Sequence, residues 1–119
     1  MSKSNNFDFN KIKGAALAPM AGVADSAFRE ICKSYGAVFT VTEMISAKAL
    51  CFQDKKSREL MRFSENERPC GIQLFGSEPE IMARAAKIAA EYEPDFIDLN
   101  MGCPVPKVAG NGCGSALMR

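Results

Sequence analysis

The chain has 119 residues, 47% hydrophobic and 24% charged, with a formal net charge of +1; this is ordinary globular material with no strong field toward nucleic acid or a membrane. With no His, and with five Cys (32, 51, 70, 103, 113) in no C-x-x-C pair, a zinc site would need scattered thiolates alone, so no metal is expected. An odd, unpatterned set of Cys also fits a reducing cytosol better than a disulfide framework.

Met1 to Gly14 is polar and carries no apolar stretch, so no signal peptide or membrane span is visible there and a cytoplasmic protein without a membrane partner is expected. Ala15-Ala16-Leu17-Ala18 is a short apolar run ended by Pro19, Gly22 and Asp25, which reads as a strand and then a loop. Asp25 or Ser26 can cap a helix whose apolar face is Phe28, Ile31, Cys32 and Tyr35, at spacings of three and four, with Gly36 as its stop. Val38 to Thr42 is rich in β-branched and aromatic residues and reads as a second strand. Residues 45–64 are mixed, with Ala47, Leu50, Leu60 and Met61 as helical anchors broken around Gln53-Asp54. Pro69 precedes a third strand, Cys70 to Leu74. Ser77 is the expected cap of a helix from Glu78 to Tyr92, where Ile81, Ala85, Ile88, Ala89 and Tyr92 share one face and Pro79 fits the first turn. Pro94 leads into a fourth strand, Phe96 to Asn100. Gly114 to Arg119 reads as the opening of another helix.

Strands each followed by helical material predict an α/β protein with a parallel sheet built of βα units. Two architectures fit: an open flavodoxin-like or Rossmann-like sheet, or about half of a (β/α)8 barrel, which needs about 250 residues. No G-x-G-x-x-G follows the first strand, so the dinucleotide fingerprint is missing. A last segment that reads as the start of a helix with no terminating Gly favours the partial barrel.

Polar groups gather at the expected strand ends, where α/β proteins place their chemistry. Pro19-Met20-Ala21-Gly22 are residues that let a flat ligand approach backbone N–H and C=O groups. Glu43-Met44 follow the second strand. Gln73 sits in the apolar run Ile72 to Phe75; a lone Gln in a strand ordinarily faces solvent, but a parallel sheet covered on both faces has no such side, which points to a buried hydrogen-bonding task. Past the fourth strand come Asn100 and Cys103, the thiol fenced by Gly102 and Pro104 on a fixed turn with Lys107 nearby. A thiol there can act as acid, base or nucleophile, and a small buried Cys is the alternative. Together these groups suggest one shared pocket.

Leu17-Ala18-Pro19-Met20-Ala21-Gly22-Val23-Ala24-Asp25-Ser26-Ala27-Phe28-Arg29 resembles the opening of the tRNA-dihydrouridine synthases. Thr42-Glu43-Met44, Ile72-Gln73-Leu74-Phe75-Gly76 and Asp98-Leu99-Asn100-Met101-Gly102-Cys103-Pro104 follow in that family's order and spacing, as do Lys107-Val108 and Gly114-Ser115-Ala116-Leu117. The resemblance spans roughly residue 12 to the end and is nearest the bacterial B-type branch. Proline-methionine after the first strand also occurs in other flavin barrels; the asparagine-x-glycine-cysteine-proline run, in register with the rest, is the specific part.

The resemblance implies the N-terminal half of an FMN-binding (β/α)8 barrel, residues 1–119, in an oxidoreductase that reduces the 5,6 double bond of selected uridines in tRNA. NADPH reduces the FMN, hydride passes to carbon 6 of the uracil, and an acid protonates carbon 5. By motif match that acid is Cys103, and a thiol suits the task because it is mostly protonated at neutral pH yet able to give up its proton. Pro19, Met20 and Ala21 match the segment that holds the flavin, Gln73 the amide that bonds the isoalloxazine, and Asn100 a residue near the flipped-out uridine. Lys107 is matched to a phosphate of the substrate, with a solvated surface Lys as the alternative. No catalytic role is expected for Cys113.

The family's later barrel strands supply a Lys, a His and glycine-rich phosphate loops, and its C-terminal helical domain holds tRNA; none of these is in this sequence. The chain by itself is therefore expected to be inactive. Another FMN barrel acting on a free pyrimidine, like dihydroorotate dehydrogenase, and a non-catalytic self-associating fragment stay open beside the first reading.

Overall fold

In the computed structural model, which describes residues 7–119, helices and short strands alternate along the chain. In order these are α1 (Ser26–Ser34), β1 (Thr40–Val41), β2 (Ile45–Ser46), α2 (Ala47–Cys51), α3 (Lys55–Leu60), β3 (Cys70–Phe75), α4 (Pro79–Ala90), β4 (Phe96–Leu99) and α5 (Pro106–Ala109). Short 3-10 turns lie at Phe9–Lys11, Glu65–Glu67 and Gly114–Met118. The reading of Met1 to Gly14 falls partly on residues 1–6, outside the described residues. No described helix is long and apolar enough to cross a membrane.

β3 organises the sheet. It pairs in parallel with β1 (Thr40 beside Cys70, Val41 beside Gly71) and with β2 (Ile45 beside Leu74, Ser46 beside Phe75). It also pairs in parallel with β4, from Gly71 beside Phe96 to Leu74 beside Leu99. Gly71 and Leu74 are each paired twice, so β1 and β2 share one flank of β3 and β4 takes the other. β1 and β2 are two stretches of one line, interrupted where residues 42–44 stand opposite only residues 72–73. The extra residue acts as a bulge and aims Glu43 and Met44 away from the ladder.

The four-stranded parallel sheet with flanking helices is the α/β arrangement expected, but its strands differ from those read in the sequence. Ala15 to Ala18 runs beside the chain ahead of β1 and bonds to it (Leu17 N–H to the Phe39 carbonyl, 3.1 Å; Val38 N–H to the Ala15 carbonyl, 2.9 Å) without forming a strand ladder. The next donor in the alternation would be residue 19, a proline with no N–H. The expected strand Val38 to Thr42 shortens to β1, and the line resumes at β2, at the start of the stretch read as mixed and just ahead of its first helical anchor, Ala47. Gly114 to Arg119, read as a helix opening, is a 3-10 turn.

Alternation along β3 separates two faces. Ile72 and Leu74 turn toward the helices and, with Ile45, Ala47, Leu50, Met61, Ala85 and Ala89, form a core at most 1% exposed. The face of α4 read from its spacing is the one that packs, Ala85 and Ala89 buried and Ile81, Ile88 and Tyr92 against them. Its N-cap position falls to Glu78, which makes no capping bond, and not to Ser77. On the other face a Cβ at Gly71 would lie 2.2 Å from the Phe96 ring, so only glycine fits beneath it. Phe96 joins Phe7, Phe9 and Phe39 in a cluster with ring centroids 4.6 to 5.8 Å apart. These rings line the amino-terminal end of the face and leave its carboxyl end to polar groups.

α1 begins at Asp25, whose carboxylate accepts from the Phe28 N–H at 2.9 Å, and ends before Gly36 at φ +101°. Half of the expected apolar face turns inward, Phe28 and Cys32 being half-buried, but the buried residue of the helix is Arg29. Arg29 is 2% exposed, while Ile31 and Tyr35 are 55% and 89% exposed. Arg29 bonds the fully buried Glu67 and donates to the carbonyls of Ala24 and Arg62 at 2.8 and 3.1 Å. Glu67 also accepts from the Ser26 hydroxyl at 2.6 Å and from the Ser64 N–H at 2.7 Å. This knot ties α1 to the turn that enters β3 through the cis Arg68–Pro69 bond.

Candidate functional site

A cleft of about 310 Å³ opens at the carboxyl ends of the strands, lined by Pro19, Ala21, Met44, Gln73, Asn100, Gly102 and Cys103. Pro19 and Ala21 arrive on the loop after Ala15 to Ala18. That loop is folded by bonds from the Val23 and Ala24 N–H groups to the Met20 carbonyl, 3.0 and 2.9 Å. It is fastened to the sheet by the Gly22 N–H, which donates to the Glu43 carboxylate. Met44 comes from the bulge between β1 and β2, and Gln73 from β3.

The strand register sets Gln73 beside Asp98, both on the face away from the helix-covered core. Gln73 is 5% exposed. Its Nε2 donates to Asp98 Oδ2 at 2.5 Å, and its Oε1 accepts from Asn100 Nδ2 at 3.0 Å. Asn100 continues the β4 ladder with its own N–H to the Leu74 carbonyl at 2.9 Å. Its Oδ1 accepts from the N–H groups of Gly102 and Cys103 at 3.2 and 3.1 Å, an Asx-type turn that shapes the loop. Gln73 keeps one donor hydrogen and one acceptor site for a ligand, whereas Asn100 is fully engaged, its second N–H reaching Met44 Sδ at 3.8 Å.

Cys103 is half-buried at the edge of this cleft. Its carbonyl accepts from the Ser115 N–H at 3.0 Å, so the 3-10 turn at Gly114–Met118 braces the thiol's backbone from behind. The contact needs glycine next door: Gly114 has φ +58°, and a Cβ there would lie 2.6 Å from the Cys103 oxygen. Cys70 differs in kind, since burial pushes its thiol up to about 11 and leaves it inert.

Of the residues singled out in the sequence, Pro19, Ala21, Gln73, Asn100 and Cys103 come together in one cleft. Met20 does not line it; its side chain is exposed and its carbonyl folds the loop. Lys107 belongs to a neighbouring hollow of about 400 Å³ with Ser46, Lys48, Ser77, Glu78 and Cys113. Among the described residues no three His, Cys, Asp or Glu side chains cluster as metal ligands. Sequence reasoning passed over Asp98 and Gly114. A period of two along Phe96, Asp98 and Asn100 was the available signal for the first, since it puts all three on one side of β4; nothing local marks Gly114 as a brace.

The family model for dihydrouridine synthases matches residues 16–119, which contain every residue of the cleft. A probable tRNA-dihydrouridine synthase of Treponema pallidum is 45% identical over 104 residues, covering 87% of this chain and 31% of its own length. The tRNA-dihydrouridine synthase B of Shewanella oneidensis is 46% identical over 103 residues, 87% of this chain and 32% of that protein. A probable tRNA-dihydrouridine synthase of Aquifex aeolicus is 47% identical over 104 residues, 87% and 33% respectively. The chain thus spans about a third of the length of these relatives. Its sheet and flanking helices are those of a partial (β/α)8 barrel, and the chain belongs to the dihydrouridine synthase family.

Proposed function

We propose that residues 1–119 are the N-terminal part of an FMN-binding barrel in a cytoplasmic tRNA-dihydrouridine synthase, which reduces the 5,6 double bond of uridines in tRNA with NADPH as reductant. The observation that supports this best is Cys103, held by Asn100 and Ser115 at the mouth of a cleft whose floor carries the buried Gln73 amide. The cleft's chemistry fits a flat, polar-edged ring. Pro19, Ala21 and Gly102 leave backbone close to the opening, and nothing stands within 4 Å of where a Gly102 Cβ would be.

FMN, when bound, supplies a two-electron-reduced ring able to give hydride to carbon 6 of the uracil. Gln73 would hold that ring by its amide, with Pro19, Met20 and Ala21 contributing mainly backbone. Asn100 would orient a uracil lifted out of the tRNA stack, as chemistry on a base requires. Cys103 holds a proton on Sγ, passes it to carbon 5, and is left as a thiolate that regains a proton from solvent. Lys107, in the hollow beside the cleft, would meet a phosphate of the tRNA.

Cys103→Ala in the full-length protein tests the assignment. Flavin binding should survive while uracil reduction slows by a factor on the order of 100 or more. Cys113→Ala should be nearly silent in the same assay. Reduction of tRNA at the parental rate by the Cys103 variant would remove the thiol from the mechanism, and turnover of a free pyrimidine but not tRNA would redirect the substrate.

A further inference from the structure

Asp98 takes no part in the reaction as proposed, yet it terminates the hydrogen-bond chain that ends on the Cys103 loop. Its Oδ2 accepts from Gln73 Nε2, Gln73 Oε1 accepts from Asn100 Nδ2, and Asn100 Oδ1 accepts from the backbone of Gly102 and Cys103. A side-chain amide can turn over with little change of shape, which exchanges its donor and acceptor ends. Both ends of this chain forbid that. An ionised carboxylate only accepts and a backbone N–H only donates, so the two amides between them must point the same way. Turning Gln73 would set its oxygen against Asp98 and its NH₂ against that of Asn100. Turning Asn100 would set NH₂ against the Cys103 N–H.

We propose that Asp98 is a positioning residue: by fixing the sense of the Gln73 amide it fixes that of Asn100, and so the turn that carries Cys103. The register that seats Gln73 beside Asp98 and continues to Asn100 makes the three polar groups one row on one face of the sheet. What this means for proton delivery rests on Cys103 acting as proposed. The placement of the loop does not, so a silent Cys103→Ala would sink the function and leave this inference standing.

Alkylation by iodoacetamide, mapped cysteine by cysteine by mass spectrometry in the full-length protein, reads the loop directly. Asp98→Leu should speed reaction at Cys103 by about threefold or more, the scale of losing one such bond. Half-buried Cys51, whose Sγ lies 3.6 Å from the Ile81 carbonyl, should keep its rate. Asp98→Asn can still turn its oxygen to Gln73 Nε2, the sense that the Gly102 and Cys103 N–H groups favour at the other end of the row, and should stay near the parental rate. A parental Cys103 rate in the Leu variant, or equal acceleration by Leu and Asn, would overturn the proposal. If Asp98→Leu also exposes buried Cys70, it has unfolded the chain, and Gln73→Met, which removes the middle link, decides instead: acceleration at Cys103 supports the relay and a parental rate overturns it.

Discussion

Gln73 shows how a single polar side chain inside a parallel sheet acquires a task. It is nearly inaccessible, its two amide ends are engaged by Asp98 and Asn100, and it still borders the cleft. Gln73→Ala should therefore weaken FMN binding or shift the flavin absorption band, since it removes a buried amide partner worth roughly 1 kcal/mol or more. Flavin titrations indistinguishable from the parent would return Gln73 to a purely structural role. This residue was legible in the sequence because a two-sided parallel sheet has no solvent face on which to put a Gln. Asp98 was not legible in the same way. One acid in Phe96 to Leu99 reads as an interruption of an apolar run until its neighbour across the strand is known.

At the scale of elements, legibility followed the chemistry of what each element buries. α4 buries apolar side chains, so their spacing announces its face; α1 fully buries an arginine, so its spacing finds the half-buried Phe28 and Cys32 but not the residue that anchors the helix. Arg29 finds Glu67 across 38 positions of sequence, a pairing that no local period encodes. Such a pair is an obligate unit: with Glu67 fully buried, removal of its partner leaves a charge stranded away from water. Arg29→Met should destabilise the protein by about 3–5 kcal/mol, a large share of a typical folding free energy. Urea unfolding measures it, and a loss below about 1 kcal/mol, the range of exposed ion pairs, would show that water reaches Glu67. The first strand failed for a different reason. Composition alone gave Ala15 to Ala18 the look of a strand, but Pro19 denies it the donor that a ladder needs.

For the whole molecule, the order of βα units could be read from the sequence, whereas closure of a barrel depends on strands that bring the two edges together. Among the described residues β4 bonds only to β3, which leaves its far edge free to pair. Leu99, Met101 and Val105, on β4 and the loop after it, are about half exposed. On the inner face Phe9, Leu17, Phe39, Val41 and Phe96 line an open apolar hollow of about 350 Å³. An unpaired strand edge beside apolar surface is a template for association. The isolated 119-residue chain should therefore pair with another copy of itself or stay partly molten and prone to aggregate. It should hold FMN weakly or not at all, because an open cleft of about 310 Å³ buries too little of so large a ligand. Size-exclusion chromatography with flavin absorbance on the same fractions reads both properties. A yellow monomer, compact and stable at micromolar concentration, would mean that the open edge is capped and that the four strands alone make a complete flavin site.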